Sequence, residues 1–414
     1  MKKFDLDTWQ EILVTITRNK TRSLLTAFGI FWGIFMLIAL MGGAQGMQDK
    51  LSQQFQGFAT NSGFLGTNPT SKAYKGFQQG RTWDLENKDV ERIRRNVSEV
   101  EIVTPSLARW GVNAVYQDKK ISSTLKGLYP EYGLIEEPQI TMGRYLNDMD
   151  IRDQRKVCVI GKRIYETLFP GGENPCGKFI EVNGIYYQVI GVSMANGNIS
   201  IQGRSETSII VPFTTMQNNY NFGQKIQLLC YTAHKGYSIS EVEKKVAQVV
   251  KKAHMIHPDD QQALIQVNAE AMFSMIDNLF SGIRILGWMV GLGTLLAGAI
   301  GVSNIMMVTV KERTTEIGIR RAIGAKPNDI LQQILSESIV LTIIAGMAGI
   351  TFAVFLLNIM ESVTSTPTAP VRFQIGFWEA IGAYILLIVL GLLAGLFPAY
   401  RAMAIKPIEA IRDE

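Results

Sequence analysis

Gly172-Glu-Asn-Pro-Cys-Gly177-Lys178 has the G-x-x-x-x-G-K spacing of a loop that cradles nucleotide phosphates on its backbone amides. Three features argue against that chemistry. Phe179 stands where a Ser or Thr would ligate Mg²⁺. The motif follows a predicted helix and precedes a predicted strand, the reverse of strand, loop, helix. The topology developed below also puts it outside, away from ATP, so a surface turn is expected. His254 and His257, ahead of Pro258-Asp259-Asp260, offer two metal ligands at a helix end, a spacing that a solvated terminus also produces. Cys158, Cys176 and Cys230 make an odd count, so at least one thiol is unpaired within the chain. Cys158, within Val-Cys-Val-Ile, reads as a small buried apolar residue, and a bridge between Cys176 and Cys230 is left open. Nothing stands out as a nucleophile motif. The chain is expected to be non-catalytic, and no catalytic, cofactor-binding or metal residue is assigned to it.

The most informative residues are charged and lie in one short stretch, Lys311-Glu-Arg-Thr-Thr-Glu-Ile-Gly-Ile-Arg-Arg-Ala-Ile-Gly-Ala-Lys326. Its spacing predicts a short amphipathic helix that Gly324 terminates, with Pro327 and Asn328 starting the next helix. Glu312 and Glu316 are interleaved with Arg313, Arg320 and Arg321, a surface of two signs that suits a protein partner better than anionic lipid. Such a handle must be held between rigid elements.

Those elements are four windows without Asp, Glu, Lys, Arg or His: Ser23 to Ala44, Ile285 to Val310, Ser338 to Met360 and Ala380 to Tyr400. At about 1.5 Å per residue each spans a hydrocarbon core of about 30 Å, and a helix satisfies its own backbone there. The mean hydropathy of +0.11 is thus an average over unlike parts. The first window is too long for the apolar region of a signal peptide, and no small-residue cleavage pattern closes it. Lys2, Lys3, Arg18, Lys20 and Arg22 precede it, five more basic residues lie in 311–337, and Arg401, Lys406 and Arg412 follow the last window, whereas 361–379 holds only Arg372. The rule that basic loops stay inside puts both termini and 311–337 in the cytoplasm and 45–284 and 361–379 outside. Asp, Glu, Lys, Arg and His are missing from the windows themselves, which argues against a self-sufficient ion-coupled carrier and for energy supplied by a partner. Small residues recur at packing spacing in Gly29-xxx-Gly33, Gly287-xxx-Gly291, Ala297-xxx-Gly301 and Gly391-xxx-Gly395. The residues Gly29, Gly33, Gly287 and Gly291 are candidates for a dimer interface.

The outer region, 45–284, carries 27 basic and 24 acidic residues, without a stripe for nucleic acid. Its pattern is mixed α and β. Helices are predicted over Leu85 to Val97, Lys162 to Phe169 and Ile239 to Ala253. Strands are predicted over Val100 to Val103, Val112 to Tyr116, Ile121 to Leu125, Val157 to Ile160, Ser208 to Val211 and Ile226 to Ala233. A hairpin is predicted from Phe179 to Val192 through Asn183-Gly184. Two lobes follow, one discontinuous (about 85–135 and 225–268) and one inserted (about 136–224). Gly46 to Phe58 and Ala269 to Arg284 are helix-compatible and would form a stalk; Ala59 to Thr82 reads as a loop above it. Within residues 1–22, Trp9, Ile12, Leu13 and Ile16 give the stretch Asp7 to Asn19 one apolar face, as in a helix lying in the cytoplasmic interface. The fold class is therefore an α-helical membrane protein of four transmembrane helices (23–44, 285–310, 338–360, 380–400) with a large mixed α+β extracytoplasmic domain on a helical stalk.

Val302-Ser-Asn-Ile-Met-Met-Val-Thr-Val followed by Lys311 to Ala325 resembles the core signature of FtsX-like permeases of the MacB type, the membrane subunits of ABC transporters. Arg18-Asn-Lys-Thr-Arg-Ser-Leu-Leu-Thr-Ala-Phe-Gly-Ile is similar to the family's entry into its first span. Gly143-Arg-Tyr-Leu, Lys156-Val-Cys-Val-Ile-Gly, Leu168-Phe-Pro-Gly and Tyr187-Gln-Val-Ile-Gly-Val resemble its periplasmic core. Phe397-Pro-Ala-Tyr-Arg-Ala and Lys406-Pro-Ile-Glu-Ala-Ile-Arg resemble its ending.

The resemblance implies a bacterial inner-membrane permease that works as a homodimer or heterodimer, each copy carrying a cytoplasmic ABC ATPase that alone binds ATP and Mg²⁺. ATP hydrolysis then moves the periplasmic domains and expels substrate through an adaptor and an outer-membrane channel. By carry-over, Lys311, Glu312, Arg313, Glu316, Ile317, Arg320, Arg321 and Gly324 form the element seated on the ATPase. With 22 residues before the first span, the ATPase is expected on a separate chain, unlike the MacB exporter. Two smaller departures are Gly293-Thr-Leu-Leu-Ala-Gly-Ala-Ile-Gly, less Gly-rich than usual, and Lys311 where a small or polar residue is common. Lipoprotein release, or mechanical regulation of an extracytoplasmic hydrolase or sensor, are the alternatives; the size of the outer domain favours export.

Overall fold

The computed structural model describes residues 20–55, 57–194, 200–365 and 371–405. The predicted interfacial helix Asp7 to Asn19 lies outside the described residues. In chain order the elements are α1 (Lys20–Gln54), β1 (Ser62–Thr67), β2 (Leu85–Glu86), α2 (Asn87–Asn96), β3 (Val100–Tyr116), β4 (Lys119–Leu128), β5 (Ile140–Gly143), α3 (Asp148–Arg152), β6 (Val157–Gly161), α4 (Lys162–Leu168), β7 (Phe179–Val182) and β8 (Ile185–Ser193). They continue with β9 (Ser208–Pro212), α5 (Phe213–Asn219), β10 (Lys225–Ile226), β11 (Leu228–Ala233), α6 (Ile239–Ala253), β12 (Leu264–Asn268), α7 (Ala269–Glu312), α8 (Thr314–Ala322), α9 (Pro327–Thr364) and α10 (Phe377–Met403). The chain divides at Lys50/Leu51 and Asp277/Asn278 into a membrane unit and an outer unit.

In the membrane unit, α1, α7, α9 and α10 are each long and apolar enough to cross a bilayer. All four outrun their charge-free windows, because intrahelical hydrogen bonds continue wherever no breaker interrupts them. The core draws Ile30, Ile34 and Leu37 from α1, Leu295 from α7, Ala345 from α9 and Leu387 from α10. Helices approach closely where one of them lacks a side chain: the Cα of Gly298 would lie 3.1 Å from a methyl placed on Gly29, and the Phe31 carbonyl 2.6 Å from one on Gly349.

In the outer unit the sheet runs β12-β1-β11-β3-β4-β9-β6-β8-β5, with β7 bridging β3 and β8. The predicted strands Val100 to Val103 and Val112 to Tyr116 are the two ends of one strand, β3. Its first half pairs with β11 and its second with β4, and the register shifts between Arg109 and Val112, where Gly111 takes φ +67°. The change of partner falls at Ser106/Leu107, and the bulge lies just beyond it, within the β3-β4 pairing. From there the pairings β3-β4, β4-β9, β9-β6, β6-β8, β8-β7 and β7-β3 return to their start, closing a barrel. The expected lobe boundaries are corrected accordingly: Leu107 to Leu128 belong with the inserted segment. Local periodicity identifies strands, whereas the parallel β4-β9 pairing is a long-range contact.

The stretch Ala59 to Thr82 is a second correction, since it contains β1, paired between β11 and β12. Its glycine suggested a loop, yet a methyl on Gly63 would lie 2.6 Å from the Tyr231 ring, so the residue permits a close approach rather than mobility. The hairpin between β7 and β8 turns on Asn183 (φ +51°) and Gly184 (φ +82°), the two left-handed residues of a type I′ turn.

A candidate coupling site at the end of α7

Arg313 ends the long helix. Its backbone (φ −98°, ψ 14°) leaves the α-helical well, and its carbonyl accepts from Ile317 N at 3.0 Å to start α8. The single helix predicted from Lys311 to its stop at Gly324 is therefore two pieces, with Lys311 and Glu312 on α7. At the other end Gly324 takes φ +108°, while Ala325 N donates to the Arg320 carbonyl at 3.0 Å and Gly324 N to that of Arg321 at 3.2 Å. That left-handed stop is strained for any residue with a Cβ. Pro327 opens α9, and Asp329 accepts from Lys326 N at 3.2 Å.

Three side-chain ties hold α8 down. The Arg313 guanidinium donates to both oxygens of Glu316 (3.0 and 3.1 Å) and, through Nη1, to Glu337 on α9 (3.1 and 3.4 Å). Arg320 bridges Glu316 at 3.0 Å and Gln333 of α9 at 3.1 Å. Arg321 Nη1 donates to the Met403 and Ile405 carbonyls at 2.9 and 2.7 Å, at the end of α10, where a cation meets the negative pole of the helix. Beneath these ties Ile317 packs with Val310, Ile330, Ile334, Ala399 and Ala402. The Glu316 carboxylate, aided by Glu337 and opposed by burial, raises the Arg313 guanidinium further above its ordinary range. Glu337 is 5% exposed, so the Arg313 guanidinium meets a buried carboxylate. Along the same side runs a shallow groove bounded by Met306, Thr309, Val310, Arg313, Arg320 and Glu337.

The opposite side of α8 is apolar and outward: Ile319 is 47% and Ile323 81% exposed. Lys311, Glu312 and Gly324 are exposed as well. The short helix is thus tied to α9 and α10 on one side and leaves Ile319 and Ile323 exposed on the other.

A family profile described as MacB-like periplasmic core domain matches residues 23–249, more than half of the chain, and one described as FtsX-like permease C-terminal matches residues 288–407. The chain belongs to the MacB-like ABC transporter permeases. Among its relatives, the macrolide export ATP-binding/permease protein MacB of Mannheimia succiniciproducens is 28% identical over 415 residues, covering 99% of this chain and 61% of that one. The pyoverdine export ATP-binding/permease protein PvdT of Pseudomonas syringae pv. syringae is 27% identical over 404 residues, covering 96% of this chain and 58% of that one. The chain thus spans about 60% of the length of the curated relatives it matches. The crystal structure of the periplasmic region of MacB from Actinobacillus actinomycetemcomitans aligns with a TM-score of 0.43 at 20% identity, over 54% of this chain and 96% of that one. With four apolar helices and a periplasmic-type domain, this MacB-like permease is an inner-membrane protein.

The other sequence candidates fall elsewhere in the permease. Gly29, Gly33, Gly287 and Gly291, candidates for packing between copies, pack within the chain instead. Gly29 meets Gly298, Gly33 meets Leu295, Gly291 meets Leu37 and Gly287 faces Leu40, because α1 and α7 of one chain already cross at these positions. Gly391 and Gly395 likewise meet Thr342 and Ser338 of α9. The 172–178 turn lies between α4 and β7, with Lys178 paired to Glu173 at 2.5 Å and set over the Phe169 ring. His254 holds Asp89 at 2.7 Å and packs at a tilt against Trp83, while His257 accepts from Asp259 N and packs edge-on against Tyr74. Cys158, Cys176 and Cys230 are free thiols, so the bridge left open between Cys176 and Cys230 is not formed; burial pushes the Cys158 and Cys230 thiols up. Glu337 and Gln333 were missed. They lie just before the charge-free run that begins at Ser338, and nothing local marks them as partners of residues on α8.

Proposed function

We propose that this MacB-like permease couples ATP hydrolysis by a cytoplasmic ABC ATPase to motion of its periplasmic domain, as one of two copies in an export system. The ATPase docks on the outward face of α8, around Ile319 and Ile323, with both chain termini on the same side of the membrane as Lys311 to Gly324. The observation that carries this reading is the tie of α8 to α9 through Arg313 and Glu337, which makes a push on the helix a displacement of the spans. The continuous α7 extends from that tie, at Glu312, back to Ala269. Expelled substrate passes to an adaptor and an outer-membrane channel. The substrate class follows those named for the relatives, macrolides and pyoverdine.

The test is reconstitution of the chain with its ATPase, scoring ATP hydrolysis and energised export together. Stimulation and export that both disappear with Ile323→Asp support the reading. An ATPase indifferent to the chain would overturn it, and stimulated hydrolysis that releases a lipoprotein or activates a hydrolase would replace export with one of the alternatives.

A further inference from the structure

Only one side of α7 faces its own membrane unit. Gly287, Gly291, Leu295 and Gly298 meet α1, whereas Leu286, Met289, Gly293, Ala297, Ile300 and Asn304 are exposed. At about 100° per residue, Leu286, Met289, Gly293, Ile300 and Asn304 lie within about 40° of one line along the helix, opposite Gly291. A methyl on Gly293 would meet nothing within 4 Å.

Asn304 sets this face apart from a surface made for lipid. It lies six residues before Val310, the last residue of its charge-free window, hence about 9 Å inside that end. Its carboxamide carries two donors and an acceptor, and among the described residues it makes no side-chain hydrogen bond. The exposed hydroxyls of Thr294 and Thr351, in contrast, bond to carbonyls of their own helices. Asn358, the other carboxamide in the windows, is two residues from its window's end, within reach of water. An amide left unpaired in hydrocarbon is costly, and the group that matches it best is another amide: across a two-fold axis each carbonyl accepts from the other's NH₂.

We propose that α7 forms the two-fold interface between two copies of this chain, with Asn304 paired to its counterpart and Ala297, Gly293 and Ile300 packed on either side. This rests on the two-copy reading above. It places the interface on the face opposite the glycines that the sequence suggested. A polar pair in an apolar seam also fixes the register of the two helices.

The test uses the full chain in membranes, with Ala297→Cys, Ile300→Cys and Asn304→Cys introduced singly and oxidised with copper phenanthroline. The parent chain controls for the native cysteines, and Phe355→Cys, on the exposed side of α9, controls for random collision. A species of twice the chain mass is expected from the three α7 positions and from neither control. Differently tagged copies should co-purify, about three- to tenfold less with Asn304→Leu and near normally with Asn304→Gln, as for one interhelical hydrogen bond in a bilayer. Tagged copies that co-purify while the α7 cysteines stay uncrosslinked, or while Phe355→Cys crosslinks instead, would overturn the interface and leave the two-copy reading standing. Copies that neither co-purify nor crosslink would remove both.

Discussion

Arg313 and Glu337 are joined across the break that ends α7, at 3.1 and 3.4 Å, with Glu337 about three turns into α9 and almost entirely buried. The pair makes the α8 segment part of the membrane unit. Arg313→Ala removes the guanidinium that donates to both Glu316 and the buried Glu337, and should lower stability by about 3 kcal/mol. Arg313→Lys cannot reproduce the fork that spans Glu316 and Glu337 and should rescue poorly. Paired replacement by Arg313→Met and Glu337→Met removes both charges and should restore melting temperature in detergent without restoring ATPase stimulation, which separates the stability of the tie from its use in coupling.

Ile323 and Ile319 contribute little to the fold, being 81% and 47% exposed. Ile323→Asp should change the melting temperature negligibly, within about 0.5 kcal/mol of stability, and weaken association with the ATPase at least tenfold. Glu316→Lys, although close in sequence, should instead destabilise, since Glu316 faces Arg313 and Arg320. Co-purification of the ATPase alongside thermal melting distinguishes the two classes.

Gly298→Leu brings a Cβ within 2.9 Å of the Gly29 backbone and should part α1 from α7. The expected loss is about 1–3 kcal/mol, as for overpacking elsewhere. Gly43→Ala meets nothing within 4 Å and should be neutral or slightly stabilising by its higher helix propensity. Detergent melting curves of the two variants check the contrast.

Asp89 is fully buried. Burial works to raise its pKa, but hydrogen bonds from His254, the Glu86 amide and Arg92 outweigh it and hold the carboxyl below its ordinary value of 3.8. A depressed folded pKa means that the stability it contributes is present at neutral pH and is lost as pH falls below about 4 through the folded value. Melting of the full chain between pH 7 and pH 3 should show this loss, and Asp89→Asn should lower stability at pH 7 while flattening the acid limb.

Several elements were legible because their signals are local. Charge-free windows bounded four membrane helices, Asn183-Gly184 bounded a hairpin, Ile239 to Ala253 showed a helical period, and Gly324 with Pro327 bounded the inner turn. Side-chain solvation, turn geometry and helix stops each act within a few residues. The barrel was not legible, since β4 and β9 pair across 84 residues of chain at Leu128 and Pro212, and β3 changes partner from β11 to β4 midway along its length. The glycine pairs illustrate the same limit: spacing established that a helix could approach closely there, and only the packed helices decided that the neighbour belongs to the same chain. In the coupling segment the sequence determined a charged handle between two spans. The tertiary structure decided that Arg313, Arg320 and Arg321 turn inward to α9 and α10 while Ile319 and Ile323 turn outward, because a buried carboxylate at Glu337 and the carbonyls ending α10 are partners that no sequence spacing reveals.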